Sequence, residues 1–421
     1  MASVDTKTTL DGLFRIAYAD EEKDLLPAFM HISEDIPFVQ RGKLGELYRQ
    51  PVILQGEHGI TYAPPDAGAF TLSAPVASVM KKADAKGYQH LLRAAIDYEA
   101  SFSGEGGTTS FKDTTSLVVM NMKKTVRKRL EIDFIYGNDD EGMAIVDGAP
   151  VANVITILTS SFAAGIWAGS VGAELEIFDS TGATQRTGIG SAGQYTIVSV
   201  DLDARTITVD DDQNVVSTDV IFFRTQTTSP AANFVHQSMA GFNKIITNTG
   251  TLFGISAATF ADTWKGVVHD VGSTAFSLDE MQKGVAKLVA RGAEDDLICY
   301  LNPVTWADIN NDQAALVRYQ GAQTTFENGS VGLKLRSQVG NVILKSHPYV
   351  KESHAFLVTP KLWIRKGATD ATFNLGKQGL PGQFFRELTD QAGYELRCYS
   401  NQFIFTSMPA RALKFKNIVN S

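Results

Sequence analysis

Residues 111–137 run FKDTTSLVVMNMKKTVRKRLEIDFIYG. Val119, Met122, Val126, Leu130 and Phe134 follow one another at steps of 3, 4, 4 and 4. That spacing lays a single apolar stripe along a helix. Asp113 supplies an N-cap carboxylate and Gly137 a stop. Residues 114–136, as one helix, would span about 35 Å. The other faces carry Lys123, Lys124, Arg127, Lys128 and Arg129. Such a face is a solvated surface, a subunit contact or a nucleic-acid contact, so these five are the candidate subunit or DNA contacts.

Upstream, residues 1–44 read as an arm. Leu10, Leu13, Phe14 and Ala17 have helical spacing, and Pro27 and Pro37 break the chain beyond them into short pieces. Residues 45–110 have no compact-domain pattern. Tyr48 to Leu54 is strand-like, and then come Gly56, Gly59, Pro64, Pro65, Gly68 and Pro75. Gly104, Gly106 and Gly107 close the region. Turn chemistry over that length predicts a long extended loop or hairpin, a feature usually tied to function.

Downstream, residues 111–149 complete the helical unit and residues 150–228 change character. Alternation in Val154–Ile157, Glu174–Phe178, Tyr195–Val200 and Thr206–Val209 predicts a small all-β unit. It holds no lysine, three Arg (Arg186, Arg205, Arg224) and nine acids, a net charge of −6. It reads as an inserted, separately folded and removable domain. Residues 229–400 are mixed α/β, and 401–421 form a last strand and tail. Ser277-Leu278-Asp279-Glu280 is a capping box whose helix ends at Gly292. A strand Leu297–Leu301 runs into Asn302-Pro303, an N-cap with proline at the first helical position. Further strands are expected at Val331–Leu335, Val342–Lys345, Ala355–Val358, Leu362–Arg365, Tyr394–Tyr399 and Phe403–Phe405.

The 421 residues carry 38 Lys+Arg against 46 Asp+Glu, a net charge of −8, which disfavours a freestanding DNA-binding domain. With −6 in the β unit, the rest is nearly balanced at −2. A hydrophobic content of 44% with 10% aromatics is enough to bury a core, against disorder. The two cysteines, Cys299 and Cys398, cannot make a disulfide framework and read as buried small apolar groups in a reducing compartment. Met1 to Leu13 contains Asp5, Lys7 and Asp11 and has no signal-peptide core. No charge occurs between Asp147 and Glu174, but Pro150, Asn153 and the acidic flanks argue against a membrane helix there.

Motifs with catalytic or ligand chemistry fail on context. Gly188-Ile189-Gly190-Ser191-Ala192-Gly193 matches a dinucleotide fingerprint by letters, but a strand pattern comes after it where a helix should begin. Asp210-Asp211-Asp212 lacks the spaced acids, central Gly and distal Glu of a calcium loop. The seven histidines, His347 and His354 included, show no zinc-ligand spacing. Asn328-Gly329-Ser330 is a glycosylation sequon by letters alone. No nucleophile turn or phosphate loop occurs. The expectation is therefore a non-enzyme with no cofactor and no metal.

The order of parts is arm, Gly/Pro-punctuated loop, long helix, β insertion and mixed α/β remainder. This order resembles the major capsid protein of tailed phages with the Hong Kong 97-type fold. On that resemblance, residues about 45–100 are similar to the extended E-loop and 111–137 to the spine helix of the peripheral domain. Ile298-Cys299-Tyr300-Leu301-Asn302-Pro303-Val304-Thr305-Trp306 resembles the strand-to-helix step of the axial domain, as do Val342–Pro348, Phe356–Pro360 and Leu362–Gly367. Tyr394–Tyr399 is similar to a closing peripheral strand.

The resemblance implies an α+β fold: N-arm, E-loop, spine helix, peripheral and axial domains, with a small all-β domain projecting from the shell. It implies self-assembly into hexamers and pentamers of an icosahedral head enclosing double-stranded DNA, with assembly in the host cytoplasm and residence in the virion. Many members begin with a long charged scaffolding segment, and the short arm here implies a separate scaffolding protein. A portal, decoration proteins and packaged DNA on the inner face are the other implied partners; no membrane is implied. The alternatives are a shell subunit enclosing protein cargo and a soluble α/β enzyme.

Overall fold

A computed structural model of the chain describes residues 29–39, 47–97, 99, 114–187, 193–211, 214–228, 233–311, 323–325, 331–373, 384–389 and 391–420. The long helix runs Thr114–Tyr136, as its periodicity predicts. The expected N-cap, Asp113, lies outside the described residues. The helix enters the core end-on. Its N-terminal half keeps an exposed side, whereas every residue from Glu131 to Gly137 is buried. Gly137 does mark the end, for a different reason from the expected one. The left-handed residue is Asn138, at φ 53°. A Cβ on Gly137 would lie 2.2 Å from the Met239 carbonyl oxygen and 2.5 Å from that of Asp133, so glycine is required by the close approach of the returning chain.

Among the described residues the strands form three larger sheets, and the element content is mixed α and β. In the first, Gly393–Thr406 is one long strand where the sequence suggests two. Tyr88–Asp97 pairs antiparallel with it, from Gly393 opposite Asp97 to Gln402 opposite Tyr88. Trp363–Thr372 also pairs antiparallel with it, and Phe38–Val39 adds a parallel strand outside that. The second sheet has the order Val267–Thr274, Leu413–Ile418, Ala355–Val358, Leu297–Leu301, Gly340–Ser346, Val331–Ser337, Gln323–Thr325. Helix Leu278–Val289 packs on it, its Val285 and Leu288 sharing one hydrophobic cluster with Leu344, Leu357 and Phe415 of the sheet. Ser277 caps that helix, its side chain accepting from the Glu280 amide. Asn302 Oδ1 accepts from the Val304 amide at 2.9 Å and opens helix Pro303–Asn311. The Asn302 cap therefore acts as the sequence indicates, whereas the capping box forms only in its Ser277 half, because the Glu280 carboxylate pairs with His269 at 2.6 Å and with Lys283 at 2.7 Å.

Leu413–Ile418, inside the stretch read as a tail, is a further strand. It lies between Val267–Thr274 and Ala355–Val358, because Leu413, Phe415 and Ile418 complete the core of the second sheet.

The third sheet is the β unit, in the order Ala144–Ile145, Val220–Phe223, Glu174–Phe178, Tyr195–Asp201, Thr206–Val209, Val154–Thr156. It begins at Ala144, before the expected boundary at 150. It is also docked rather than carried on a linker. Its Ile155, Trp167, Leu175 and Ile177 belong to the same hydrophobic cluster as Leu130 and Phe134 of the long helix. The segment 347–354 is bonded to it: the Gly165 amide donates to the Pro348 carbonyl at 3.0 Å, and the Glu352 amide to the Phe162 carbonyl at 2.9 Å. Arg205 adds an ion pair to Glu352 at 3.2 Å. The charge-free stretch folds inside this unit as strand Val154–Thr156, the turn Thr159–Ser161 and the short helix Ala164–Trp167. Among the described residues no helix is long and apolar enough to cross a membrane.

Candidate functional site

The extended loop is a hairpin. Tyr48–Gln55 pairs antiparallel with Val79–Ala85, with Tyr48 opposite Ala85. Its base is anchored. Leu54, Ala83 and Ala85 are buried with Ile255, Trp264, Phe403 and Phe405. Arg49 and Asp84 pair across the strands at 2.7 Å. Beyond the base the hairpin has little apolar cover among the described residues. Tyr62 is 89% exposed, Leu72 75% and Ile60 71%, and Ile53, Phe70, Val76 and Met80 are exposed as well. The tip is nonetheless shaped, through His58 paired with Val76 and the Ser73 amide donating to Thr61 Oγ1 at 2.8 Å. Apolar side chains held in an ordered hairpin without a core form a surface ready for a partner.

The five basic helix residues separate. Lys123 is exposed, and Lys124 and Arg127 are half-buried. Lys128 donates to the Ala168 carbonyl at 2.5 Å. Arg129 sits over Phe223, its guanidinium carbon 3.1 Å from the ring centroid. Those two turn toward the β unit and are half-buried as well. Burial, with Arg129 beside it, lowers the Lys128 pKa to about 8, and burial lowers that of Arg129 to about 10.

Two polar knots hold the helix, and neither has a counterpart among the expected site residues. In the first, Glu131 accepts from the Ile32 amide at 2.5 Å and from Ser33 Oγ at 2.5 Å, and His347 approaches it at 3.4 Å. This fixes the short helix His31–Asp35 of the arm, whose Asp35 also accepts from Tyr300 at 2.5 Å and from Lys345 at 2.5 Å. In the second, Lys351 is fully buried and donates to the Gly142 carbonyl at 2.9 Å, its ammonium 4.6 Å from the Tyr136 ring. Asn243 donates to Asp139 at 2.6 Å beside it. Burial lowers the Lys351 pKa and raises that of Asp139. A signal for such knots exists in the sequence: Glu131 and Asp133 stand inside the run Leu130–Ile135, where an acid must be paired.

The weak motifs do not converge. Gly188 to Ala192, Asp212 and Asn328-Gly329-Ser330 lie outside the described residues. Asp210 is a turn residue whose carboxylate accepts from the Thr196 amide at 2.8 Å. His354 bonds Tyr136 at 3.2 Å, apart from the His347–Glu131 contact. Among the described residues, no group of three or more His, Cys, Asp or Glu is placed to hold a metal ion. Cys299 and Cys398 are free and buried, and burial raises both thiol pKa values, that of Cys398 to about 11.

No protein-family profile and no curated protein matches the sequence. Solved structures do. A chain of the cyanophage A-1(L) capsid asymmetric unit superposes with a TM-score of 0.51 at 11% identity, covering 98% of this chain and 99% of that one. The capsid of a native GTA particle gives 0.49 at 9% identity, covering 99% and 100%. The holo-SrpI encapsulin complex of Synechococcus elongatus gives 0.49 at 8% identity, covering 99% and 96%. The cyanophage chain carries the likeness: this chain shares its fold over nearly its whole length.

Proposed function

We propose that the chain is a structural shell subunit, a major capsid protein of the Hong Kong 97-type fold. It self-assembles as hexamers and pentamers into an icosahedral phage head that encloses double-stranded DNA. In this reading the hairpin is the E-loop and Thr114–Tyr136 the spine helix. The first sheet belongs to the peripheral domain and the second to the axial domain. The observation that carries the proposal is the hairpin. Its tip displays five large apolar side chains, Ile60, Tyr62, Phe70, Leu72 and Val76, that stay exposed among the described residues, and Ile53 and Met80 extend that face down the strands. Burying one such side chain on a neighbour contributes about 1.5–3 kcal/mol. The subunit therefore gains stability by assembling. The shared fold with a capsid chain supports the same reading. The role is structural, not catalytic, and its place is the virion, assembled in the host cytoplasm with a separate scaffolding protein, a portal and decoration proteins. Lys123, Lys124 and Arg127 keep solvent access for subunit or DNA contacts, while Lys128 and Arg129 act inside the subunit.

The test is a charge placed on the tip. Ile60→Asp with Leu72→Asp leaves the circular dichroism spectrum unchanged and abolishes sedimenting particles. Particles of normal size from the double variant would contradict the proposal.

A further inference from the structure

A cleft of about 700 Å³ opens between the long helix, the strand Tyr88–Asp97 and the β unit. Three features set it apart from an ordinary groove. Its cations are recessed: Lys128 and Arg129 both line it, on adjacent positions of one helix. One donor is unused. Arg129 Nη1 is buried without a hydrogen-bond partner among the described residues, and Arg129 lines the cleft. Its acids are already engaged. Asp133 accepts from Gln226 at 2.8 Å and meets His90 Nε2 at 2.6 Å, and Glu174 is paired with Arg224.

A buried guanidinium nitrogen without an acceptor is costly, because its hydration is lost and nothing replaces it. Phe223 covers one face of the Arg129 guanidinium and supplies no acceptor in its plane. Lys128 gives one proton to the Ala168 carbonyl and has two more to offer. Burial, and after it the neighbouring Arg129 charge, lowers the Lys128 pKa. An anion at this place relieves both strains at once.

We propose that the cleft is an oxyanion site that takes a compact group of the phosphate class, bound by Arg129 and Lys128. The same chemistry has two sources, free phosphate and the phosphodiester of a nucleic acid. The enclosure of Arg129 Nη1 favours the free ion, since a polymer backbone would have to bring its sugars into a cleft walled by Val126, Ile132 and Phe223. The site is independent of the shell reading; it concerns one subunit and stands whether or not the chain assembles.

The experiment is calorimetric titration of the full-length chain with inorganic phosphate, against chloride at equal ionic strength. A parallel titration uses a short single-stranded oligonucleotide without a terminal phosphate. Phosphate-specific binding is expected, weakened at least about tenfold by Lys128→Met and by Arg129→Leu. Lys361→Met, an exposed charge outside the cleft, should leave it unchanged. If Arg129→Leu fails to fold, Arg129→Lys with Lys128→Met decides. Absence of phosphate-specific heat overturns the proposal. So does binding that survives both cleft substitutions. Binding of the oligonucleotide through Lys128 and Arg129 in place of free phosphate overturns the assignment to a compact ion.

Discussion

Gly137 sits where two stretches of backbone converge. Its own helix offers the Asp133 carbonyl and the returning chain the Met239 carbonyl, and the Gly241 amide donates back to Gly137 at 2.9 Å. A methyl group has no room there. Gly137→Ala should lower stability by about 1–3 kcal/mol, read from denaturant unfolding of the unassembled chain. Gly68→Ala, with nothing within 4 Å, should change it by less than about 0.5 kcal/mol. Lys128 makes a second prediction, on pH. Its folded pKa, about 8, lies below the ordinary 10.5. Between those values the unfolded chain holds a proton that the folded chain has released, so stability rises with pH across that window. Below about pH 8 the charged ammonium opposes folding by a constant amount. Unfolding curves for wild type and Lys128→Met should therefore diverge, wild type gaining on the variant from about pH 8 to about 10.5. Parallel curves would show that Lys128 is not enclosed.

Elements are legible where hydrophobic period and burial agree. The long helix is the clearest case: its stripe residues Met122, Val126, Leu130 and Phe134 are all buried. The Ser277 cap and the Asn-Pro step are local chemistry, and both stand where the sequence places them. Tyr88–Asp97 is unreadable as a strand because its alternation is corrupted. His90 turns inward to meet Asp133, while Leu91 is 56% exposed. Gly393–Thr406 reads as two strands because Ser400-Asn401-Gln402 interrupts the apolar pattern. Ser400 and Gln402 are buried, and Gln402 accepts from Arg365 at 2.5 Å and donates to Ser400 at 2.6 Å. Long-range polar pairing of this kind leaves no periodic trace. The β unit shows the same limit. Its strands are legible, but its docking is not, because that depends on segment 347–354 and on Phe223 meeting Arg129. Its removal should therefore fail. Replacing residues 150–228 by a short linker exposes Leu130 and Phe134, so the product should be insoluble or melt well below the parent chain. A soluble product with an unchanged melting temperature would mean that the unit is an appendage after all.

At the scale of the whole molecule, two surfaces divide the work. Three quarters of the net charge of −8 belongs to residues 150–228, which carry −6. The apolar excess belongs to the hairpin, which has an anchored base and an uncovered tip. On the proposed function, the exposed hairpin tip is the part that a neighbouring subunit covers. The central claim is that this chain is a shell subunit whose hairpin lies on its neighbour. Cryo-electron microscopy of the full-length chain expressed with its scaffolding protein tests it most directly. The account predicts closed icosahedral particles of hexamers and pentamers, with residues 56–78 covered by an adjacent subunit. Monomers alone, or particles in which that segment touches no neighbour, would contradict it.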